Sequence, residues 1–219
     1  ANDEWINFRT KMLYAISNST EEIETTKKVF LLTIKEVEKN MKNKGLLGLG
    51  LNSIYYCMKK LIYKKNEEDE SELYCFVLDN IYNLYAKHNN LLLEQSSLNI
   101  FELLTEHIVT CFYRHKDRKE ICEKGYAIIN LLFSSNFLLK SNNNLEIKLK
   151  IYKNIISSIR EKSIRTTSYI HHKDSTELYT IAINNVLPWI KPLSLNGISS
   201  PIQGLVIDCF SKLFNLAEH

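Results

Sequence analysis

Histidine and cysteine side chains recur at helical spacing in one part of the sequence. His107, Cys111 and His115 follow one another at intervals of four residues, and Cys122 comes shortly after them. Residues four apart share one face of a helix, so these imidazole and thiolate groups could bind Zn²⁺, with Cys122 as a fourth ligand. Cys111 also belongs to the apolar stripe of its helix, however. We therefore interpret it as a core cysteine between two surface histidines, and a zinc-containing helical domain is kept as the second alternative.

The sequence lacks the common motifs of catalysis. It contains no HExxH, no GxSxG, no Walker-type loop and no protein-kinase set. The glycine-rich segment 46–51 resembles a phosphate-binding loop only superficially, because no strand is predicted before it and no Lys-Ser/Thr pair follows it. We interpret this segment as a packed turn between two helices. The sequence predicts a protein that is not an enzyme and needs no cofactor.

Positive charge is concentrated between residues 140 and 173. Eight basic and two acidic side chains give this stretch a formal charge of +6, whereas the whole chain carries +3. A basic helix face could dock an acidic segment of a partner protein or a phosphate backbone. A solvated helix face, rich in lysine because of an AT-rich coding sequence, is the alternative. The candidate binding residues here are Lys148, Lys150, Lys153, Arg160, Lys162 and Arg165.

Tyrosine is abundant, and six of the twelve tyrosines cluster on two neighbouring predicted helices. Tyrosine is enriched among interface anchors because its ring buries a large area at a low cost in conformational entropy. We interpret Tyr74 as a ring packed between helices. Tyr55, Tyr56 and Tyr63 are candidate partner-binding residues.

Composition narrows the class of protein. With only 6 glycines and 3 prolines, the chain lacks the regularly spaced turns that an all-β sandwich needs. Five cysteines without a CxxC motif indicate reduced thiols in an intracellular protein, cytoplasmic or nuclear. No apolar run approaches the ~18 residues of a membrane span. Arginine, which makes the commonest specific contact to bases, is scarce, so a nucleic-acid-binding module using residues 140–173 ranks below a protein-binding one.

Apolar residues at helical spacing predict about nine helices. The first covers 3–17 and has one apolar stripe formed by Trp5, Phe8, Met12 and Ile16. The second begins at Ser19, where Glu22 would complete a capping box, and Gly45 closes it as a left-handed cap. Further helices are predicted at 53–65, 72–87, 97–115, 117–136, 145–160, 174–188 and 201–216. The inward stripe predicted for the third helix is Ile54, Cys57, Met58, Leu61 and Ile62, with Tyr55, Tyr56 and Tyr63 on its flanks. The buried residues predicted for the fourth helix are Leu73, Phe76, Val77, Ile81 and Leu84, and those predicted for the last helix are Leu205, Cys209, Leu213 and Leu216.

Two stretches suggest an internal repeat. Residues 72–81 and 177–186 share Glu-Leu-Tyr, a later Asn and their apolar steps, 105 residues apart. A second match, Ser96-Ser97 and Ser199-Ser200, recurs after 103 residues. Paired helices in units of roughly 45–60 residues resemble armadillo and HEAT repeats at the level of architecture, without a residue signature of either family. This resemblance implies stacked helix pairs and an extended groove that binds peptides or partner helices.

The sequence therefore predicts an all-α fold, with its helices in antiparallel pairs that form a short α-solenoid or an irregular helical bundle. We expect residues 1–219 to be one helical-repeat domain, and a chain that starts at Ala1 without an initiator Met to be a fragment of a larger scaffold. The predicted function is protein–protein interaction, in which the chain binds a peptide or helix of a partner protein. The part of the partner that meets the basic stretch is expected to be acidic. No interaction with a membrane is expected. Self-association through the apolar segment 46–51 is a further expectation.

Overall fold

A computed structural model of the chain describes residues 2–63, 70–114, 120, 123–125, 127–128, 131, 146, 149, 153, 203–209 and 211. Secondary structure in these residues is helical, and they contain no strand. The all-α class predicted from the sequence is confirmed. The count of about nine helices and their solenoid arrangement stay predictions, as does the internal repeat, whose second copy at 177–186 lies outside the described residues.

Five α-helices and one 3-10 helix are described from end to end. They are α1 (Asn2–Ser19), α2 (Ile23–Lys39), α3 (Lys44–Tyr63), α4 (Glu70–Lys87), a 3-10 helix (Asn89–Leu93) and α5 (Gln95–Arg114). Each of the five helices predicted within residues 2–114 therefore exists. The chain divides into two compact units, Ala1–Ile100 and Phe101–His219. Whether the chain acts as one domain, as expected, stays a prediction.

Helix α3 is the central element of the first unit, because α1, α2 and α4 all pack against it. The inward stripe predicted for α3 is confirmed, since all of its members are buried: Ile54, Cys57, Met58, Leu61 and Ile62. Phe30 of α2 is also fully buried, and its ring lies 5.7 Å from that of Phe76 in α4. Burial raises the pKa of the Cys57 thiol to about 12, so this cysteine is an inert core residue.

The glycine-rich segment 46–51 is helical, so its interpretation as a turn between helices is wrong. Gly50 has a packing role in this helix. A Cβ atom built on Gly50 would lie 2.6 Å from Cγ2 of Val37, so only glycine lets α3 approach α2 at this point. Leu47 and Leu51 are buried, whereas Leu46, Gly48 and Leu49 are half-buried, and self-association through this segment stays a prediction.

The boundary between α1 and α2 also differs from its prediction. Ser19 ends α1 instead of capping α2, and Glu22 is the N-cap of α2 without a side-chain capping bond, so the predicted capping box is wrong. Lys60 of α3 favours the longer α1, because its ammonium group donates to the carbonyl oxygens of Asn18 (2.8 Å) and Thr20 (2.6 Å). A cation at these carbonyls stabilises the C-terminal end of α1.

The predicted C-terminal cap of α2 is wrong as well. Gly45 lies inside α3, and the C-cap of α2 is Asn40, whose backbone N–H donates to the carbonyl oxygens of Glu36 and Val37. Asn40 is buried, and its side-chain amide donates to Oγ1 of Thr10 in α1 at 3.3 Å. The same residue thus terminates α2 and joins it to α1.

The carboxylate of Glu38 on α2 contacts basic side chains at the C-terminal end of α4. Oε1 of Glu38 lies 2.8 Å from Nζ of Lys87 and 3.2 Å from Nε2 of His88. The hydrogen bond from Lys87 lowers the pKa of Glu38 below its ordinary value of 4.5; burial opposes this shift, and His88 supports it. The folded chain therefore binds a proton at the Glu38 carboxylate more weakly than the unfolded chain does. The contribution of the ionised Glu38 carboxylate to the free energy of unfolding is complete above pH 4.5. It is lost as the pH falls through the lowered pKa of Glu38.

Glu38→Gln should remove this contribution and reduce the loss of stability on acidification. We expect an effect of about 0.5 kcal/mol, because the pair is partly exposed to solvent. Urea unfolding measured at a series of pH values between neutrality and about pH 3 tests this. Glu94→Gln is the matched control, since Glu94 makes no ion pair within the described residues. An acid profile of Glu38→Gln that coincides with that of the unmodified protein would contradict the prediction.

Described residues of the second unit bring two helical segments together. Leu149, Val206 and Cys209 are buried, and the thiol of Cys209 lies 3.6 Å from the carbonyl oxygen of Leu149, to which it donates. Of the face predicted to be buried in the last helix, Cys209 is buried and Leu205 is half-buried, whereas Leu213 and Leu216 lie outside the described residues. Cys57, Cys75 and Cys209 all carry thiols, as expected for reduced cysteines.

Candidate functional site

Four tyrosines and a lysine form a surface on α1 and α3, which we call the tyrosine surface: Tyr14, Tyr55, Tyr56, Lys59 and Tyr63. Tyr55, Lys59 and Tyr63 share one face of α3, because they follow one another at intervals of four residues. Tyr56 contacts Tyr55 edge to face, with 5.5 Å between the ring centroids, and contacts Tyr14 of α1 in the same way at 6.0 Å. The three rings are half-buried, and Tyr63 is 48% exposed.

The chemistry of this surface combines aromatic rings, hydroxyl groups and one exposed ammonium group. Tyr14, together with burial, raises the pKa of the Tyr56 hydroxyl above its ordinary value. A neutral tyrosine hydroxyl can donate a hydrogen bond. Lys59 is exposed between two tyrosines, whereas the adjacent Lys60 is occupied by the carbonyls at the end of α1. A partner with apolar side chains and a carboxylate would match these groups.

Other tyrosines that cluster with these in the sequence have different environments. Tyr74 and Tyr85 of α4 are buried, which confirms that the Tyr74 ring packs between helices. The hydroxyl of Tyr85 donates to Oγ of Ser97 at 2.7 Å, and Ser97 in turn donates to the carbonyl oxygen of Leu91 at 2.6 Å. Tyr82 is 38% exposed on α4. The tertiary structure thus separates the tyrosines that face solvent from those that build the core.

Of the six basic candidate residues, the structure describes only Lys153. Its ammonium group forms an ion pair with Oδ2 of Asp208 at 2.6 Å, so this lysine joins two helical segments of the second unit. The other candidates lie outside the described residues: Lys148, Lys150, Arg160, Lys162 and Arg165. The basic stretch therefore stays a predicted binding face.

The alternative zinc site is not tested by the structure. The side chains of His107, Cys111, His115 and Cys122 lie outside the part of the chain whose side chains are described. Elsewhere, the described residues hold no group of three or more His, Cys, Asp or Glu side chains that could bind a metal ion.

The outward-facing side of α1 is a feature that the sequence analysis missed. Trp5, Phe8 and Met12 are 58%, 53% and 46% exposed, and the rings of Trp5 and Phe8 stack with 5.7 Å between their centroids. We call these three residues the outer face of α1. The apolar stripe of this helix therefore points to solvent instead of to the core, except for Ile16, which is half-buried.

Two hydroxyl-bearing residues and one leucine occupy the core side of α1. Thr10, Leu13 and Ser17 are buried there. The hydroxyl groups of Thr10 and Ser17 both donate hydrogen bonds within the helix. Thr10 donates to the carbonyl oxygen of Ile6 at 2.9 Å, and Ser17 donates to that of Tyr14 at 2.7 Å. Residues 10, 13 and 17 have the same spacing as residues 5, 8 and 12. This second stripe of equal spacing is the feature of the sequence that could have indicated a different core side for α1.

Among the described residues, no helix combines the length and apolar character that crossing a membrane requires. Comparison with known proteins gave no matching family model, no similar curated protein and no similar solved structure.

Proposed function

We propose that this chain is a non-enzymatic protein–protein interaction module that binds an acidic peptide or helix at its tyrosine surface. The observation that carries the proposal is the row of Tyr55, Lys59 and Tyr63 along one exposed face of α3, extended onto α1 by the contact between Tyr56 and Tyr14. In this proposal the helices belong to a short α-solenoid of the armadillo or HEAT type within a larger scaffold. The helical class and the packing of successive helices around α3 are compatible with such an architecture.

The physical basis is the interface chemistry of tyrosine. Each ring contributes a large contact area with few rotatable bonds, so it loses little entropy when a partner binds. The edge-to-face contacts of Tyr56 further restrict the rings before binding, which favours affinity through preorganisation. Lys59 would pair with a carboxylate of the partner, and this pair would mainly set orientation and association rate.

A peptide-display selection against the full chain tests the proposal. We expect selected peptides to combine acidic residues with apolar anchors, and Tyr63→Ala to weaken them about tenfold or more, as expected for an interface anchor. Lys59→Glu should weaken them as well and should reduce the salt dependence of the association rate.

Tyr82→Ala is the matched control, because Tyr82 is an exposed tyrosine of another helix, α4. It should leave peptide affinity unchanged. Peptides without acidic residues, or peptides that bind Tyr63→Ala and Tyr82→Ala equally well, would disprove binding at the tyrosine surface.

A further inference from the structure

We infer that the outer face of α1 pairs with the same face of a second copy of this chain, with the two helices antiparallel. This surface is separate from the tyrosine surface, so the inference does not depend on the proposed function. Trp5, Phe8 and Met12 occur at i, i+3 and i+7, which is the spacing of the contact seam in a two-helix coiled coil. Two stacked aromatic rings and a methionine, each about half exposed, form the contiguous apolar patch that marks an interaction site.

Contacts that other residues of α1 make with α2, and the contact of its C-terminal end with α3, keep this face outward. Arg9 forms a 2.7 Å ion pair with the buried carboxylate of Glu36, and Thr10 accepts a hydrogen bond from Asn40. Lys60 holds the carbonyl oxygens at the C-terminal end of the helix. Rolling α1 to bury Trp5 would break these contacts and would expose Leu13. Among the described residues of the first unit, this face of α1 is therefore left exposed by the fold.

The charged residues along the edge of this face indicate which molecule binds there. Glu4 and Lys11 are exposed, carry opposite charge and lie seven residues apart, on the same edge of the apolar seam. In an antiparallel pair that sets Trp5 against the partner's Phe8, Glu4 faces the partner's Lys11, and two-fold symmetry repeats this contact. Shifting the helices by one heptad would place Lys11 against the partner's Lys11. The edge charges thus favour both a second copy and one register.

Charge-swap variants of the full chain test this arrangement, with mass measured by sedimentation equilibrium from about 1 to about 100 μM, a range that covers weak dimers. Glu4→Lys and Lys11→Glu should each weaken the dimer about tenfold, because each places like charges opposite one another at two positions. The double variant should recover the original affinity. A mixture of the two single variants should form mixed dimers in preference to either homodimer, since all facing charges are then opposite.

Two further variants separate this pairing from general effects. Trp5→Ala combined with Phe8→Ala should abolish the dimer while leaving the circular dichroism spectrum unchanged, since both side chains are exposed in the single chain. Lys35→Glu, a charge reversal at an exposed position of α2, should not change the mass. A mass of one copy at every concentration would overturn the inference, as would a dimer that persists in the double alanine variant. Failure of the double charge swap to restore affinity would overturn the antiparallel register.

Discussion

Gly50→Ala should lower the free energy of unfolding by about 1–2 kcal/mol, even though alanine favours helices more than glycine does. In an unobstructed helix the substitution would stabilise the chain by about 0.5–1 kcal/mol. Here the new Cβ would lie 2.6 Å from Cγ2 of Val37, a side chain that is 1% exposed and has little freedom to rotate. Overpacking of this kind typically costs about 1–3 kcal/mol and exceeds the gain in helix propensity.

Gly48→Ala is the matched control for this prediction. It lies in the same helix, and its added Cβ would meet only Oγ of Ser96 at 3.8 Å, an ordinary contact. We therefore expect Gly48→Ala to stabilise the chain by about 0.5–1 kcal/mol, so the two alanine variants should differ in sign. Urea unfolding followed by circular dichroism measures both, and amide hydrogen exchange in α2 and α3 locates the effect.

Removing the obstruction should rescue Gly50→Ala. Val37→Ala alone creates a cavity and destabilises the chain, but in the double variant the Cβ added at position 50 occupies the space left by Cγ2 of Val37. The double variant should thus be more stable than the sum of the single effects predicts, by about 1 kcal/mol or more. Strict additivity would show that close approach of α2 and α3 does not determine the need for glycine.

Ser97→Ala should destabilise the chain by about 2–3 kcal/mol, far more than the loss of one exposed hydroxyl. Ser97 is fully buried and takes part in two hydrogen bonds, since it accepts from Tyr85 and donates to the carbonyl oxygen of Leu91. Each buried bond contributes about 1 kcal/mol, and deleting the serine removes both at once. These bonds join α4 to the 3-10 helix and to the first turn of α5.

Tyr85→Phe provides the comparison for this second prediction. It removes the bond to Ser97 and leaves the bond from Ser97 to Leu91 in place, so we expect a smaller cost of about 1 kcal/mol. A double-mutant cycle over Tyr85 and Ser97, measured by urea unfolding, should give a coupling energy of about 1 kcal/mol. If Ser97→Ala proves no more costly than Tyr85→Phe, the bond to Leu91 contributes nothing to stability.

The sequence predicted the helices of the first unit because their apolar periodicity is a local property. The inward stripe of α3 is where the spacing placed it, and of the five residues predicted to be buried in α4 all but the half-buried Phe76 are in the core: Leu73, Val77, Ile81 and Leu84. Tyr55, Tyr56 and Tyr63 were predicted to lie on the flanks of α3, and they do. Their contact with Tyr14 was not predictable, since it joins two helices about forty residues apart in the chain.

By itself, the sequence determined the helical class, the five α-helices within residues 2–114 and most of their core positions, because each follows from residue spacing within one helix. Only the tertiary structure decided which of two equally spaced stripes of α1 faces the core, that residues 46–51 continue a helix, and where α1 and α2 end. Each of these depends on a partner that is distant in the chain: Glu36 and Asn40 for the orientation of α1, Val37 for Gly50, and Lys60 for the end of α1. Local helix propensity is weaker than such packing and hydrogen bonding. It could therefore not predict the orientation of α1, the helical state of residues 46–51 or the ends of α1 and α2.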